Sequence, residues 1–207
     1  YDALCGAEHR KWRMQFHPRY GLAVTDGLFM TSRDGKSFRR WNEAFLRPGP
    51  ESPKRWVYGD GYAAYGLIAT HTGVEGEDDE LSFYATGNDW SDTPVQLFRY
   101  TLRLDGFVSR SAPYAGGEVV TQPLCFAGDA LHINFATSAA GSLRVVIEDE
   151  AGNALPGFDS GELFGDSADR AVRFDGDLAA LAGQPVRLRF ILRDADLYAF
   201  QFCTEGK

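Results

Sequence analysis

Three carboxylates stand beside aromatic or glycine-rich sequence and could serve acid–base chemistry: Asp26, Asp60 and Glu80. Two carboxyls across a glycosidic bond hydrolyse it when they lie about 5 Å apart for retention or about 6.5–9.5 Å apart for inversion. Each residue also has a simpler interpretation. Asp26 and Asp60 precede glycine, as turn residues do, and Glu80 ends an acidic run typical of a solvated loop. They are candidate catalytic residues that the fold would have to bring together.

A second group combines flat aromatic rings with planar polar side chains, which suits the binding of a sugar ring and its hydroxyls. The candidate substrate-binding residues are Trp41, Arg55, Trp56, Tyr58, Tyr62 and Trp90. Trp90 lies in a polar loop, where a tryptophan is either partly exposed or holds the loop down. Trp41 follows a predicted hairpin, and its alternative role is that of a core residue.

Metal and cofactor sites have little support. The acidic residues 77–80, and Asp89 with Asp92, offer the oxygen ligands that Ca²⁺ prefers, but without an established spacing. The four histidines show no paired spacing for zinc or for a Ser-His-Asp triad. No glycine-rich phosphate loop is present. We therefore expect no cofactor, with calcium as the one alternative that the acidic loops leave open.

The composition of the chain argues against two classes of partner, nucleic acids and membranes. The 207 residues carry a net charge of -8, so a nucleic-acid backbone would be repelled. No apolar run approaches the roughly 20 residues needed to cross a bilayer, and no signal peptide is visible. We expect neither a nucleic-acid nor a membrane partner. The chain begins without Met, which would suit a piece of a longer protein, and Cys125 and Cys203 are expected to be buried free thiols.

The elements that must position these residues are strands. Residues 105–207 alternate apolar and polar side chains, which predicts antiparallel sheets with one buried face, packed as a β-sandwich. The expected inward positions are Leu131, Ile133, Phe135, Leu143, Val145, Ile147, Val186, Leu188, Phe190 and Leu192. Residues 1–104 are less regular, with an Asp-Gly hairpin at Asp34 and Gly35. The predicted fold class is all-β.

The hairpin Ser32-Arg33-Asp34-Gly35-Lys36-Ser37-Phe38, followed by Trp41, resembles the blade hairpin of many glycosidase β-propellers. Residues 105–109, 117–121, 138–145, 185–190 and 194–198 resemble a group of bacterial proteins similar to the fructosidase and arabinanase type of glycoside hydrolase. Those proteins carry a five-bladed propeller followed by a β-sandwich. The resemblance implies propeller-blade-like antiparallel strands in residues 1–104 and the sandwich in residues 105–207.

In proteins of that type the catalytic carboxylates come from earlier blades, and the resemblance transfers none of them to a position of this chain. It implies the C-terminal part of a glycosidase-like protein, with a carbohydrate-binding or structural accessory role and an oligo- or polysaccharide as partner. Two alternatives stay open: an active glycoside hydrolase with a carboxylate pair, and an oligomerising β-sandwich. A homo-oligomer or an upstream propeller region would complete the assembly. Location in the bacterial cytoplasm or outside the cell stays open.

Overall fold

The fold is all-β, as the sequence predicts. The computed structural model describes residues 6–15, 25–50, 61–87 and 94–204, and in these ranges the chain forms eleven strands arranged in antiparallel sheets. None of the sheets closes on itself within those ranges. No helix in the described residues is long and apolar enough to span a membrane.

One short helix was not predicted. The eight residues of α1 (Ala7–Met14) are mostly good helix formers, and Glu8 lies in the first turn, where its charge interacts favourably with the helix dipole. The helix is too short to show a sustained apolar period, which is the signal that sequence analysis relies on.

The chain divides into two compact units, Tyr1–Thr70 with Leu81–Thr101, and His71–Glu80 with Leu102–Lys207. The first unit contains β1 (Gly27–Thr31), β2 (Arg39–Leu46), β3 (Ile68–Thr70) and most of β4 (Glu80–Gly87) and β5 (Gln96–Arg103). These strands form a two-stranded sheet, β1–β2, and a three-stranded sheet in the order β3–β4–β5.

The predicted Asp-Gly hairpin joins β1 to β2. Asp34 Oδ1 accepts hydrogen bonds from the backbone N–H groups of Ser37 at 2.7 Å and Lys36 at 2.8 Å, and from Ser32 Oγ at 3.0 Å. Gly35 has a φ of 69°, which glycine adopts without strain. The bonds from Ser37 and Lys36, and then that from Ser32, favour the charged carboxylate and hold the pKa of Asp34 well below its ordinary value.

A row of aromatic rings packs the first unit. Trp41 lies 6.4 Å from Phe29, and Phe29 lies 5.6 Å from Phe45, as measured between ring centroids. Phe45 stacks on Phe83 at 5.6 Å, and Phe83 stacks on Tyr100 at 5.4 Å. These contacts hold strands β1, β2, β4 and β5 together, since adjacent aromatic rings attract each other in offset or tilted geometry.

The second unit contains β6 (Arg110–Ala112), β7 (Gly117–Val120), β8 (Ala130–Glu148), β9 (Ala154–Leu163), β10 (Asp166–Val172), a 3₁₀ turn (Leu178–Leu181) and β11 (Arg187–Cys203). β8 and β11 pair along most of their length as a central ribbon. β7 and β9 flank one half of the ribbon, while β6 and β10 flank the other. Buried side chains from both halves belong to one core.

All ten predicted inward positions of the second unit are at most 2% exposed, which confirms the alternation. A bulge keeps the two halves of β11 facing the same core. Leu192 and Ala195 are both buried although they are three residues apart, because Asp194 is an extra residue with a φ of 44°. On β8, residues 138–141 bulge opposite it, and a Cβ on Gly141 would lie 2.4 Å from the Asp194 carbonyl oxygen.

Asn134 and Glu148 occupy polar positions of the alternating pattern, which predicts the solvated face for both. They are instead buried, with exposures of 3% and 4%. Glu148 Oε1 accepts a hydrogen bond from Arg189 Nε at 2.5 Å. Asn134 Oδ1 accepts one from Arg103 Nε at 2.8 Å, and its Nδ2 donates to the Leu104 carbonyl at 2.6 Å. Burial is tolerated because each polar group has a partner.

The expectation of a buried thiol at Cys125 is wrong, since that side chain is exposed. Phe126 is buried and stacks on Phe202 with ring centroids 3.9 Å apart, while Leu124 packs partly against the core. Cys125 lies between these two inward residues, so its side chain points away from the core. Cys203 is half-buried.

The register of β11 can be tested with two adjacent aliphatic residues. Leu192 is 1% exposed and Ile191 is 38% exposed. We expect Leu192→Ala to lower the free energy of unfolding by about 2–5 kcal/mol, because it leaves a cavity in the core. Ile191→Ala should change it by less than about 1 kcal/mol, as exposed positions generally do. Urea denaturation measures both, and equal losses would contradict this register.

The Asp34 turn should lose stability in acid. The folded-state pKa of Asp34 lies below its unfolded-state pKa. At pH values above the unfolded-state pKa, its carboxylate therefore stabilises the hairpin in full. That contribution disappears as the pH falls through the folded-state pKa. Amide hydrogen exchange at Lys36 and Ser37 should therefore quicken, relative to its intrinsic rate, only in strong acid. Asp34→Asn should remove this dependence, whereas Asp26→Asn, at an exposed position outside the turn, should preserve it.

Candidate functional site

A cleft of about 180 Å³ lies in the first unit, and we name it the Phe98 cleft. Its lining residues come from β2, β4, β5 and the adjoining loops: Thr25, Leu46, Arg47, Pro48, Gly49, Gly61, Thr86, Gly87, Phe98 and Tyr100. Phe98 and Tyr100 share one face of β5, since they are two residues apart in a strand. The cleft therefore has an aromatic wall.

Gly87 allows the Phe98 ring to lie against the backbone of β4. A Cβ at this position would come within 2.5 Å of Phe98 Cε2, which is closer than carbon atoms can approach. Any larger residue at position 87 would displace the ring. The shape of the aromatic wall thus depends on a residue that has no side chain.

Residues 61–64 close another edge of the cleft by running beside β4. Gly61 donates to the Thr86 carbonyl at 2.8 Å, and Thr86 donates to the Tyr62 carbonyl at 3.0 Å. Gly61 has a φ of 79°, a conformation that glycine adopts readily. Tyr62, next to this lining glycine, is 48% exposed.

The lining side chains combine aromatic surface with polar groups that can donate hydrogen bonds. Thr25, Thr86 and Tyr100 carry hydroxyls, and Arg47 carries a guanidinium group. No carboxylate occurs among the described lining residues. These groups can bind a polar ligand that has an apolar face, but they do not include the carboxyl pair that glycoside hydrolysis needs.

The predicted binding residues lie in different places. Trp41 is half-buried in the aromatic row, with the Arg39 guanidinium 4.6 Å from its ring centroid. Tyr62 lies beside the Phe98 cleft. The other predicted binding residues lie outside the described residues: Arg55, Trp56, Tyr58 and Trp90.

Of the three candidate carboxylates, the two that the structure describes, Asp26 and Glu80, do not line a common cleft. Asp26 is exposed and follows Thr25, a lining residue of the Phe98 cleft, but is not itself part of the lining. Asp60 lies outside the described residues. Glu80 lines a separate cleft of about 520 Å³ in the second unit, which we name the acidic-loop cleft.

The acidic-loop cleft lies between the loop before β4 and the start of β10, and many of its carboxylates bind the chain itself. Asp78 Oδ2 accepts a hydrogen bond from the Ala168 backbone N–H at 2.5 Å. Asp79 pairs with His71 at 2.5 Å, and Asp166 pairs with Arg103 at 2.6 Å. The Asp78 bond attaches the loop to β10, so the expectation of a solvated loop for residues 77–80 holds only in part.

Arg103 is fixed by four contacts, three of them hydrogen bonds: to Asn134 Oδ1 at 2.8 Å, Asp166 Oδ1 at 2.6 Å and the Phe135 carbonyl at 3.3 Å. Its guanidinium also lies 4.4 Å from the ring centroid of Tyr198. Burial, with a smaller contribution from nearby Asp196, raises the pKa of the Tyr198 hydroxyl. These contacts connect Arg103 to β8, β10 and β11, and they form a structural network at the acidic-loop cleft.

Metal binding gains no support from the geometry. Among the residues that the structure describes, no group of three His, Cys, Asp or Glu side chains is placed to hold an ion. The residues predicted from the sequence do not include four that line the Phe98 cleft: Arg47, Thr86, Phe98 and Tyr100. The spacing of Phe98 and Tyr100 in a strand was the one signal that could have indicated the aromatic wall.

Comparison with protein-family models, with curated proteins and with solved structures yields no match to this chain.

Proposed function

We propose that this chain is the carbohydrate-binding C-terminal part of a glycoside-hydrolase-like protein, and that the Phe98 cleft contacts the sugar. The observation that carries the proposal is the combination of an aromatic wall with hydroxyl and guanidinium groups in one cleft. A sugar ring offers a C–H face to Phe98 and Tyr100, and its hydroxyls can accept hydrogen bonds from Arg47.

The proposed propeller and sandwich architecture has separate support in each unit. In the first unit, apolar side chains stay on the surface, with Met30 at 53%, Leu97 at 63% and Ile68 at 55% exposure. Exposed apolar surface of this kind is typical of strands that pack against further strands, as the blades of a propeller do. In the second unit, one core shared by both halves of the central ribbon is the packing that a sandwich requires.

The exposed apolar residues equally favour a second candidate, in which copies of this chain associate through the first unit. Among the described residues, β3 and β5 are the outer strands of its three-stranded sheet, and an outer strand can pair with a strand of another copy. A monomer in light scattering at high protein concentration would exclude this candidate. A dimer that dissociates on Leu97→Arg would support it.

If the Phe98 cleft binds a sugar, changes at Phe98 and Gly87 should lower the affinity. In calorimetry with neutral oligosaccharides, Phe98→Ala should weaken binding about fivefold, since an aromatic contact contributes on the order of 1 kcal/mol. Gly87→Ala should weaken it similarly because the new methyl displaces the ring. Phe38→Ala, at an exposed aromatic of the same unit, is the matched control and should have no effect. Absence of any binding at millimolar sugar would sink the proposal.

The isolated chain is expected not to hydrolyse glycosides, because the Phe98 cleft has no carboxylate among its described lining residues. The measurement is release of nitrophenol from a panel of aryl glycosides. Turnover that disappears in Glu80→Gln or Asp60→Asn would establish the alternative of an active hydrolase. Turnover that persists in both variants would point to a catalytic pair elsewhere in the chain.

A further inference from the structure

The outer face of the second unit carries a row of four side chains from four strands. The register pairs Glu118 of β7 with Ile191 of β11, Ile191 with Arg144 of β8, and Arg144 with Glu162 of β9. Residues paired directly across strands point to the same face of a sheet. Neighbouring strands are about 4.8 Å apart, so the row extends roughly 14 Å from end to end.

An open groove of about 460 Å³ lies over this row, and we name it the Ile191 groove. Arg193 and Ser142 extend its lining along the strands, and Gly117 lines it at β7. Ile191, at 38% exposure, provides an apolar surface between longer charged side chains. The groove is thus an apolar strip bordered by hydrogen-bonding groups.

Most of the nearby charges are already paired. Arg144 donates to both carboxylate oxygens of Asp159, through Nε at 2.7 Å and through Nη2. Glu118 accepts a hydrogen bond from Arg189 at 2.7 Å. These pairs hold the walls of the groove in place, and they leave few groups able to bind a ligand strongly.

Two groups of opposite charge differ from the rest. Within the described part of the chain, neither the side chain of Glu162 nor that of Arg193 has a hydrogen-bonded or ion-paired partner. Arg144 attracts Glu162 only through longer-range electrostatics. The Arg193 guanidinium lies 5.4 Å from the ring centroid of Tyr114, which is 62% exposed. The groove therefore offers one cationic donor and one anionic acceptor.

We propose that the Ile191 groove binds a neutral saccharide, with hydroxyls hydrogen-bonded to Arg193 and Glu162 and a C–H face against Ile191. A hydroxyl can accept from a guanidinium and donate to a carboxylate, so one polyhydroxyl ligand satisfies both groups. An anionic ligand would be opposed by Glu162, and a cationic ligand by Arg193. The ligand class agrees with the proposed function, but this site is separate from the Phe98 cleft.

The groove binds and does not hydrolyse. Glu118 and Glu162 stand at opposite ends of the row, about 14 Å apart at the backbone. Glycoside hydrolysis needs two carboxyl groups within about 9.5 Å of each other, so these two side chains would have to extend toward each other along the row to form a pair. In addition, Glu118 is bound to Arg189.

The test is an NMR titration of the ¹⁵N-labelled chain with neutral trisaccharides of glucose, xylose, arabinose and fructose. Amide signals of Ile191, Glu118 and Ser142 should shift with at least one of them. Arg193→Gln and Glu162→Gln should each raise the dissociation constant about tenfold, since each removes a charge-assisted hydrogen bond. Arg173→Gln and Glu150→Gln are the matched exposed controls, and they should leave the constant unchanged.

Ile191→Ala is a further variant that removes the apolar surface without touching a charge, and it should also weaken binding. Shifts confined to Phe98 and Tyr100 would overturn the Ile191 groove and leave the proposed function standing. Shifts confined to the groove would support the groove and overturn the assignment of sugar binding to the Phe98 cleft. The zwitterion glycine and the anion galacturonate serve as competing probes, and tighter binding of either than of every neutral trisaccharide would overturn the neutral-saccharide assignment.

Discussion

The pairing of β8 with β11 is the constraint on which the second unit depends. Every flanking strand of that sheet pairs with one of these two, and both halves of the ribbon contribute to one core. The bulge at Asp194 is therefore essential, because without its extra residue Ala195 and Leu197 would turn toward solvent. Aspartate tolerates the left-handed backbone better than most residues, and Gly141 permits the close approach of the opposite strand.

The same register that fills the core also arranges charge on the outer face. Arg187, Arg189 and Arg193 alternate along β11 with buried Leu188, Phe190 and Leu192. Arg189 is bound by two glutamates, which raise the pKa of its guanidinium, and Arg187 donates to backbone carbonyls. Arg193 lies where the strand approaches its bulge and contacts a tyrosine ring instead. A difference in local pairing thus makes one arginine of three available to a ligand.

The sequence predicts best those features whose signal lies in neighbouring residues, and it predicts poorly those that depend on residues distant in the chain. Period-two alternation is carried by neighbouring residues, so the core positions from Leu131 to Leu192 and the Asp34 hairpin were predictable. The burial of Asn134 was not, because it depends on Arg103, thirty-one residues away in the chain. The Phe98 cleft was missed for the same reason, since Gly87 and Phe98 meet only after β4 and β5 pair.

The two units differ in how much of their apolar surface they bury, and this difference affects how firmly each can hold a surface that contacts a ligand. In the second unit, the inward-facing aliphatic and aromatic residues of β8 and β11 are almost fully buried, so its outer face can carry exposed charged groups on a rigid sheet. In the first unit, Phe83 and Ala85 are the buried apolar residues among those described, and Leu97, Ile68 and Met30 remain exposed. The proposed binding cleft on so small a core is held mainly by contacts such as the one between Gly87 and Phe98. If further strands cover the exposed residues, as the proposed propeller requires, burial of that apolar surface should lower the free energy of the arrangement that shapes the cleft.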